Sequence, residues 1–494
     1  MENNVLPAGW VWTRLGEIIY PSNEKAEPLK IEKMPYVGLE HIEKDTGKLL
    51  GHGDSSEVKS TKTLFHSGDL LYGKLRPYLN KVFVVDFDGV CSTDILVFSK
   101  YSYIYNKFIA NRLLCNDFVR YASQNVSGVQ HPRVNFNTLS QFPIPLPPLP
   151  EQRVIVSKIE QLFSDLDNGI ENFKKAQAQL KLYRHSVLKA ACEGKLVPTE
   201  AELARVEGRD YEAADVLLAR IKEERKSNTR GKYIEMPTLD ISDLHHLPEG
   251  WLWIQAQDVC NWITNGYTPK ANKMFQGKGE IPFIKVYNLT NKGELNFNIN
   301  PTFISKETHT KELSRSNVFP GDILMNIVGP PLGKVSIVPD IFPEWSINQA
   351  IVIYRPLKGY DRKFILYSLL TNNILSWAIK RSKATAGQFN LTITICRNLP
   401  LPLPPLAEQR RIVAEVERRL SVSDKMEETI TGSLQKAESL RQSILKKAFE
   451  GKLLNKKELE KVRNAPDWEP AEKLLERIKT EKVKKQKNTH RSGE

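Results

Sequence analysis

Apolar residues recur in two rhythms along this chain. From Ile155 they fall at alternating steps of four and three, through Ile159, Leu162, Leu166, Gly169, Phe173, Ala176, Leu180, Tyr183, Val187 and Ala190. Such spacing keeps one stripe of a helix turned toward a single partner, so it predicts a long helix with a heptad seam. Pro150 and Glu151 suit its first turn, and Gly194 followed by Pro198 suits its end. A second seam runs through Ile412, Val416, Met426, Ile430, Ala437, Leu440 and Ile444, with polar Arg419, Ser423 and Ser433 at seam positions. At 1.5 Å per residue, each helix of about 40 residues would be roughly 60 Å long, and the two can pair. Elsewhere short β-branched runs at 81–87, 95–98, 334–338 and 350–354 predict strands. Phe108, Ile109, Leu113 and Phe118, and again Phe364, Leu366, Leu369 and Leu370, predict one core-facing helix in each half.

These elements occur twice because the sequence does. Pro7-Ala8-Gly9-Trp10-Val11-Trp12 returns as Pro248-Glu249-Gly250-Trp251-Leu252-Trp253, and Gly68-Asp69-Leu70-Leu71 as Gly321-Asp322-Ile323-Leu324. Leu146-Pro147-Pro148-Leu149-Pro150-Glu151-Gln152-Arg153 returns as Leu403-Pro404-Pro405-Leu406-Ala407-Glu408-Gln409-Arg410. The offset is 241 at Trp10 and Trp251 but 257 at Glu151 and Glu408, which places insertions inside the second globular stretch. The helices repeat closely while the globular heads diverge, so the duplication suggests one task done on two different targets. A short amphipathic piece follows each long helix, at Val216, Leu217, Leu218 and Ile221 and at Lys473, Leu474, Leu475 and Ile478.

A length of 494 residues exceeds what one hydrophobic core organises, in agreement with two heads. No apolar run approaches the roughly 20 residues that span a bilayer, and the first residues lack the pattern of a secretion signal. Five scattered cysteines, odd in number and never spaced as CxxC, read as reduced thiols in a cytoplasmic protein without a zinc knuckle. Lys and Arg number 71 against 58 Asp and Glu, a net charge of +13 that favours an anionic partner, most simply nucleic acid. The basic end from Lys479 onward supplies part of that excess as a solvated tail.

Catalytic motifs fail on inspection. Gly68 to Leu75 nearly spells a phosphate loop, but Leu75 stands where Ser or Thr must ligate magnesium and Pro77 blocks the helix that should follow. Asp45 with Glu57 and Lys59 could be built into a metal-dependent nuclease, yet the second half has no counterpart. There is no GxGxxG, no HExxH and no Asn-Pro-Pro-aromatic or Asp-Pro-Pro-aromatic methyltransferase motif, and His245-His246 sits in a linker. No catalytic residue and no metal site is therefore assigned. Basic, amide and aromatic residues do interleave at Tyr72, Lys74, Arg76, Tyr78, Asn80 and Lys81, with Gln130 and Arg133 in and after a Gly-rich loop. Arg and Lys can bond phosphates or guanine edges, and Asn or Gln adenine, although an ordinary exposed strand and turn would show the same composition. The second half offers Lys285, Tyr287, Asn288, Asn326, Lys334, Gln388 and Asn390.

The twofold order of Pro-x-Gly-Trp-x-Trp, Gly-Asp-Leu/Ile-Leu, a Gly-Val-Gln or Gly-Gln loop and Leu-Pro-Pro-Leu-x-Glu-Gln-Arg before a long helix resembles the specificity subunit of type I restriction-modification enzymes. The resemblance covers nearly the whole chain. It implies an α+β protein of two mixed α/β target-recognition domains separated by two long helices that pair as an antiparallel coiled coil, an internal repeat about a pseudo-twofold axis. The expected division is 1–149 first recognition domain, 150–198 first helix, 199–240 tail and linker, 241–406 second recognition domain, 407–454 second helix, and 455–494 tail. It further implies double-stranded DNA, two methyltransferase subunits and restriction subunits as partners, with S-adenosylmethionine, ATP and magnesium held by those partners and none by this chain. Three alternatives stay open: the recognition chain of another bipartite-site enzyme, a self-contained nuclease using Asp45, Glu57 and Lys59, and a scaffold that binds only proteins.

Overall fold

The computed structural model describes residues 5–27, 32–228, 239–385 and 388–480. The chain divides into two compact units, Met1–Lys174 with Thr431–Glu494, and Lys175–Ile430. Each unit contains one head, and the boundary falls within two helices of 44 residues each, Leu149–Cys192 and Leu406–Phe449. Among the described residues no helix is long and apolar enough to cross a membrane.

In the first unit Val11–Arg14 pairs antiparallel with Pro143–Leu146, a two-stranded ladder that tolerates prolines because they leave no central-strand donor missing. The head proper has two further sheets. Leu70–Gly73 lies between Val82–Val84 and Ile95–Phe98, and a five-stranded sheet runs in the order 25–26, 62–65, 89–91, 35–37, 53–54. The Gly-Asp motif starts the buried strand at Leu70. Gly68 sits at φ +94°, and the Asp69 carboxylate accepts from the backbone N–H groups of His66 and Lys100, both at 2.9 Å. The second unit repeats this plan: Leu252–Gln255 pairs with Pro400–Leu403, Gly321 sits at φ +88°, and Asp322 accepts from Phe319 N and from the Arg355 guanidinium. Its counterpart of the three-stranded sheet gains a strand, Cys260–Asn265, paired with Ile351–Pro356. The added strand lies in the interval where the repeat offset begins to grow.

One expectation about the helices of the heads is corrected. Each head carries two short helices in place of one, Asn106–Leu113 and Asn116–Gln124, then Arg362–Leu369 and Asn372–Arg381, so Phe118 belongs to the second of its pair. The break comes at Cys115 and Thr371, both in extended conformation. In the first head Arg112 forms a bidentate ion pair with Asp117 across it. The amphipathic tails also pack in an exchanged manner. Leu217 and Ile221, which follow the first long helix, join the core around Trp251 and Phe364, whereas Leu474 and Ile478 join the core around Trp10 and Phe108.

The seam needs a second correction. Ile155, Ile159, Val187, Ile412, Val416, Ile430 and Ile444 are buried and Leu162, Leu166, Phe173 and Leu180 half-buried, but Met426 and Leu440 are 52% and 50% exposed and Tyr183 faces solvent too. The buried line passes instead through Leu420, Ser423, Ile430, Ala437, Arg441, Ile444 and Ala448. Steps of four and three can be laid along one helix in two interleaved registers that share every second position. The apolar residues at 426 and 440 favoured the wrong one, because Arg441 stacks its guanidinium 4.4 Å from the ring of Phe163 and is thereby accommodated inside.

Candidate nucleic-acid interface

Each head is mounted on its helix by the repeated motifs themselves. The Trp10 indole N–H donates to Glu151 at 2.7 Å, and Glu151 also accepts from the Trp468 indole at 3.1 Å with Arg463 3.6 Å away. In the other unit Trp251 donates to Glu408 at 3.0 Å, and Glu408 accepts from the backbone N–H of Glu200 at 2.9 Å. Burial raises the Glu408 pKa, and the Glu200 N–H, the Trp251 indole and the Arg411 charge offset this only in part. The neighbouring glutamines do the same work in both copies. Gln152 donates to Pro147 O and accepts from Tyr105 N, as Gln409 donates to Pro404 O and accepts from Asp361 N. These conspicuous motifs therefore hold the molecule together and leave recognition to other residues.

In the first head the loop after Leu70–Gly73 lies beside the Gly-rich loop. Leu75 bridges Arg133, Arg76 N donates to Pro132 O at 2.7 Å, and Val134 N donates to Lys74 O at 3.1 Å. Arg76 and Asn80 both adopt left-handed backbone, at φ +51° and +45°, conformations that non-glycine residues hold only under constraint. Between them Pro77–Leu79 forms a single 3-10 turn that presents Tyr78, half exposed. Among the described residues Lys74 and Arg76 make no side-chain hydrogen bond or ion pair. Gln130 is exposed alongside them.

The other candidates of this head are engaged within it: Tyr72 is buried, Lys81 half-buried, and Arg133, though exposed, is paired. Lys81 donates its ammonium to the carbonyls of Leu39 and Ile42, Arg133 pairs with Asp94 at 2.8 Å, and Asn80 is buried. The Arg133 hydrogen bond holds the Asp94 carboxyl below its usual range against burial, with help from the Arg133 and Lys74 charges.

The second head places its loops in the same way: Val328 bridges Asn390 and Leu391 N donates to Ile327 O at 2.9 Å. Asn326, however, is fully buried, donating to Pro331 O at 2.8 Å and accepting from Lys334 N at 2.7 Å. Asn288 is likewise buried, donating to Asn296 O and Ile299 O, and Tyr287 donates to Asn300 O. Asn288 and Asn326 are thus loop-closing amides and not surface readers. Lys285 and Lys334 are half-buried and Asn390 exposed, while the Gln388 side chain, Ala386-Gly387 and the basic end from 481 lie outside the described residues. Sequence reasoning passed over exposed Trp262, Tyr267, Lys270 and Phe275, an interleaving of aromatic and basic residues that the rule applied at 74–81 would have selected.

The nuclease triplet gains no support from its surroundings. Asp45 occupies a left-handed turn beside Lys44, Glu57 ends the exposed turn Ser55–Glu57, and among the described residues no three His, Cys, Asp or Glu side chains form a metal-sized group.

Comparison with known proteins adds an independent line. The family model for the type I restriction modification DNA specificity domain matches residues 7–177 and again 248–436. The specificity subunit of type I restriction enzyme EcoDI from Escherichia coli is 34% identical over 45% of this chain and 50% of that subunit, so this match spans half of that relative's length. The EcoBI specificity subunit, also from Escherichia coli, is 29% identical over 73% of this chain and 68% of that one. A solved chain described under the structural basis of complex assembly and conformational transition of the type I R-M system shares the fold with a TM-score of 0.67, at 23% identity, over 91% of this chain and all of that one.

Proposed function

The chain belongs to the family of type I restriction-modification DNA specificity domains, and on that premise we propose that its two heads each read one half of an asymmetric, bipartite site on double-stranded DNA. The observation that carries this reading is a mount built twice, Trp10–Glu151 and Trp251–Glu408, under heads whose loops differ in sequence. A conserved mount with diverged loops is what a reader of two unlike half-sites requires.

The long helices act as an antiparallel coiled-coil spacer in this reading. Support comes from each unit taken alone: Ile155 and Ile159 share a core with Ile444 and Ala448 while Asp167 bonds Arg441, and Val187 and Ala191 share a core with Ile412 and Val416 while Arg184 bonds Asp424 at 3.1 Å. A helix of 44 residues spans about 66 Å, or about 19 base pairs at 3.4 Å each, which bounds the unread gap. Lys74, Arg76, Tyr78 and Gln130 form the reading face of the first head. In the second head Lys285, Tyr287, Lys334 and Asn390 serve, joined by the exposed residues at 262–275. The pseudo-twofold repeat presents two equivalent surfaces to two methyltransferase subunits, which bind S-adenosylmethionine, and restriction subunits bring ATP and magnesium. This chain is a non-catalytic, cytoplasmic member of that complex.

Methylome sequencing of cells carrying this chain and its methyltransferase tests the assignment. Exchange of residues 1–149 for the head of a relative should change one half-site and leave the other and the gap intact. Alteration of both half-sites would overturn the assignment of one head to one half-site.

A further inference from the structure

Beyond the glutamate mounts and the ion pairs Lys107–Glu160 and Lys363–Glu417, each unit contains an attachment between head and helix nearer the middle of the helix. In the first, the Lys48 ammonium lies 2.5 Å from the Asp167 carboxylate, and Arg441 of the second long helix bonds the other oxygen of the same carboxylate. In the second, Lys292 reaches Asp424 at 3.4 Å and Glu427 at 2.6 Å, and Arg184 of the first long helix bonds Asp424 at 3.1 Å. Asp167 and Asp424, and Arg184 and Arg441, are repeat partners 257 residues apart. Both arginines are well shielded, at 7% and 15% side-chain exposure.

The turns that deliver the lysines are built alike but not from aligned residues. Gly47 and Gly293 hold left-handed backbone, φ +70° and +93°, and a Cβ at either would meet a leucine methyl at 3.1 Å, on Leu114 or Leu366. Lys48 follows its glycine, whereas Lys292 precedes its own. Two diverged loops therefore reach equivalent helix aspartates from opposite sides of the turn, so common descent of an aligned lysine does not account for the match.

Position along the helix gives the cluster its use. Asp167 lies 16 residues beyond Glu151, and Asp424 lies 16 beyond Glu408, about 24 Å of helix in each copy. Lys107–Glu160 and Lys363–Glu417 tie each head to its helix 9 residues beyond the glutamate, and an anchor at 16 residues lengthens that lever and fixes the angle of the head. Half-exposed lysine ion pairs add little to stability, so an orienting role accounts better for their being built twice. We propose that Lys48 with Asp167 and Arg441, and Lys292 with Asp424 and Arg184, are positioning residues that fix the angle of each head on its helix and thereby the gap length tolerated between half-sites. This rests on the DNA-reading function proposed above.

The test uses the full chain in complex with its methyltransferase. Duplexes would carry the two half-sites found by methylome sequencing, at the native gap and at gaps one base pair shorter and longer. Lys48→Met combined with Lys292→Met should lower the preference for the native gap about fivefold, since two linked sites lose their advantage when their geometry is loosened. The melting temperature should move by no more than about 2 °C. Asp167→Asn with Asp424→Asn should relax the gap in the same direction. A wild-type complex that discriminates gaps beside lysine variants that discriminate equally well overturns the latch alone. A wild-type complex that binds no bipartite site overturns the functional reading, and the role of the latch with it.

Discussion

The two glutamate mounts solve one packing problem with different charge compensation. Glu151 faces two indole N–H groups and has Arg463 3.6 Å away, so its negative charge has a cation close by. Glu408 has one indole and one backbone N–H, while the nearest guanidinium, Arg411, is bonded to Glu200 at 2.6 Å. Trp468 of the first mount is replaced by Tyr211 at the equivalent place, whose hydroxyl lies against Gly250. The difference teaches that the duplicated motif preserves shape and hydrogen-bond direction and lets the electrostatics drift. The tryptophan and the acceptor are fixed by geometry, whereas the counter-charge comes from the tail residue Arg463 in the first mount and from Arg411 of the long helix in the second.

The largest effect should come from removing the shared element. Trp251 is buried in a core with Phe364, and Trp251→Ala should cost about 3–5 kcal/mol through cavity formation and the unpaired Glu408 carboxylate. Denaturant unfolding would measure it. A loss below about 1 kcal/mol would show that the mount does not hold the head, and the comparison between mounts would lose its basis.

Next in size is the charge itself. Glu151→Gln should cost up to about 1 kcal/mol more than Glu408→Gln at neutral pH, because only the first forfeits an ion pair with a nearby cation that has no other carboxylate partner among the described residues. The pH dependence carries the sign. The folded-state pKa of Glu408 is raised above the ordinary value of 4.5, chiefly by burial, so its contribution to stability is full below that value and is lost as pH rises through the folded pKa. Carboxyls held low by cations, such as Asp167 and Glu200, act in the opposite sense and lose their contribution as pH falls. The stability of Glu408→Gln relative to wild type should therefore increase from about pH 4.5 upward, and a difference that stays flat across that window would contradict the account.

How far the sequence discloses these features depends on which force decides each. The long helices were legible because one period governs 44 residues, and the motifs that carry Trp10 and Glu151 because both recur, although their contact was not foreseen. The internal role of Asn288 and Asn326 was not, since an amide that closes a loop and one that reads a base are the same residue until the backbone around them is known. Lys81 and Arg133 share that ambiguity, being spent on carbonyls and on Asp94. The packing of Leu474 against the core around Trp10 could not be foreseen either, because an amphipathic stretch declares an apolar face and not which surface it covers.

The smallest expected effect discriminates between the two seam registers. If the buried line runs through Leu420 and Arg441, then Met426→Ser and Leu440→Ser remove apolar groups already half in water and should change stability by less than about 0.5 kcal/mol each. The register read from apolar spacing would bury both side chains and predicts about 2 kcal/mol or more apiece. Leu420→Ala supplies the converse, because Leu420 is buried and belongs to the observed line alone, so its truncation should cost about 2–3 kcal/mol. Measured together by denaturant unfolding, the three variants assign the register from the sign and order of their effects. Tolerance of Leu420→Ala alongside large losses at Met426 and Leu440 would return the seam to the positions that apolar spacing alone selects.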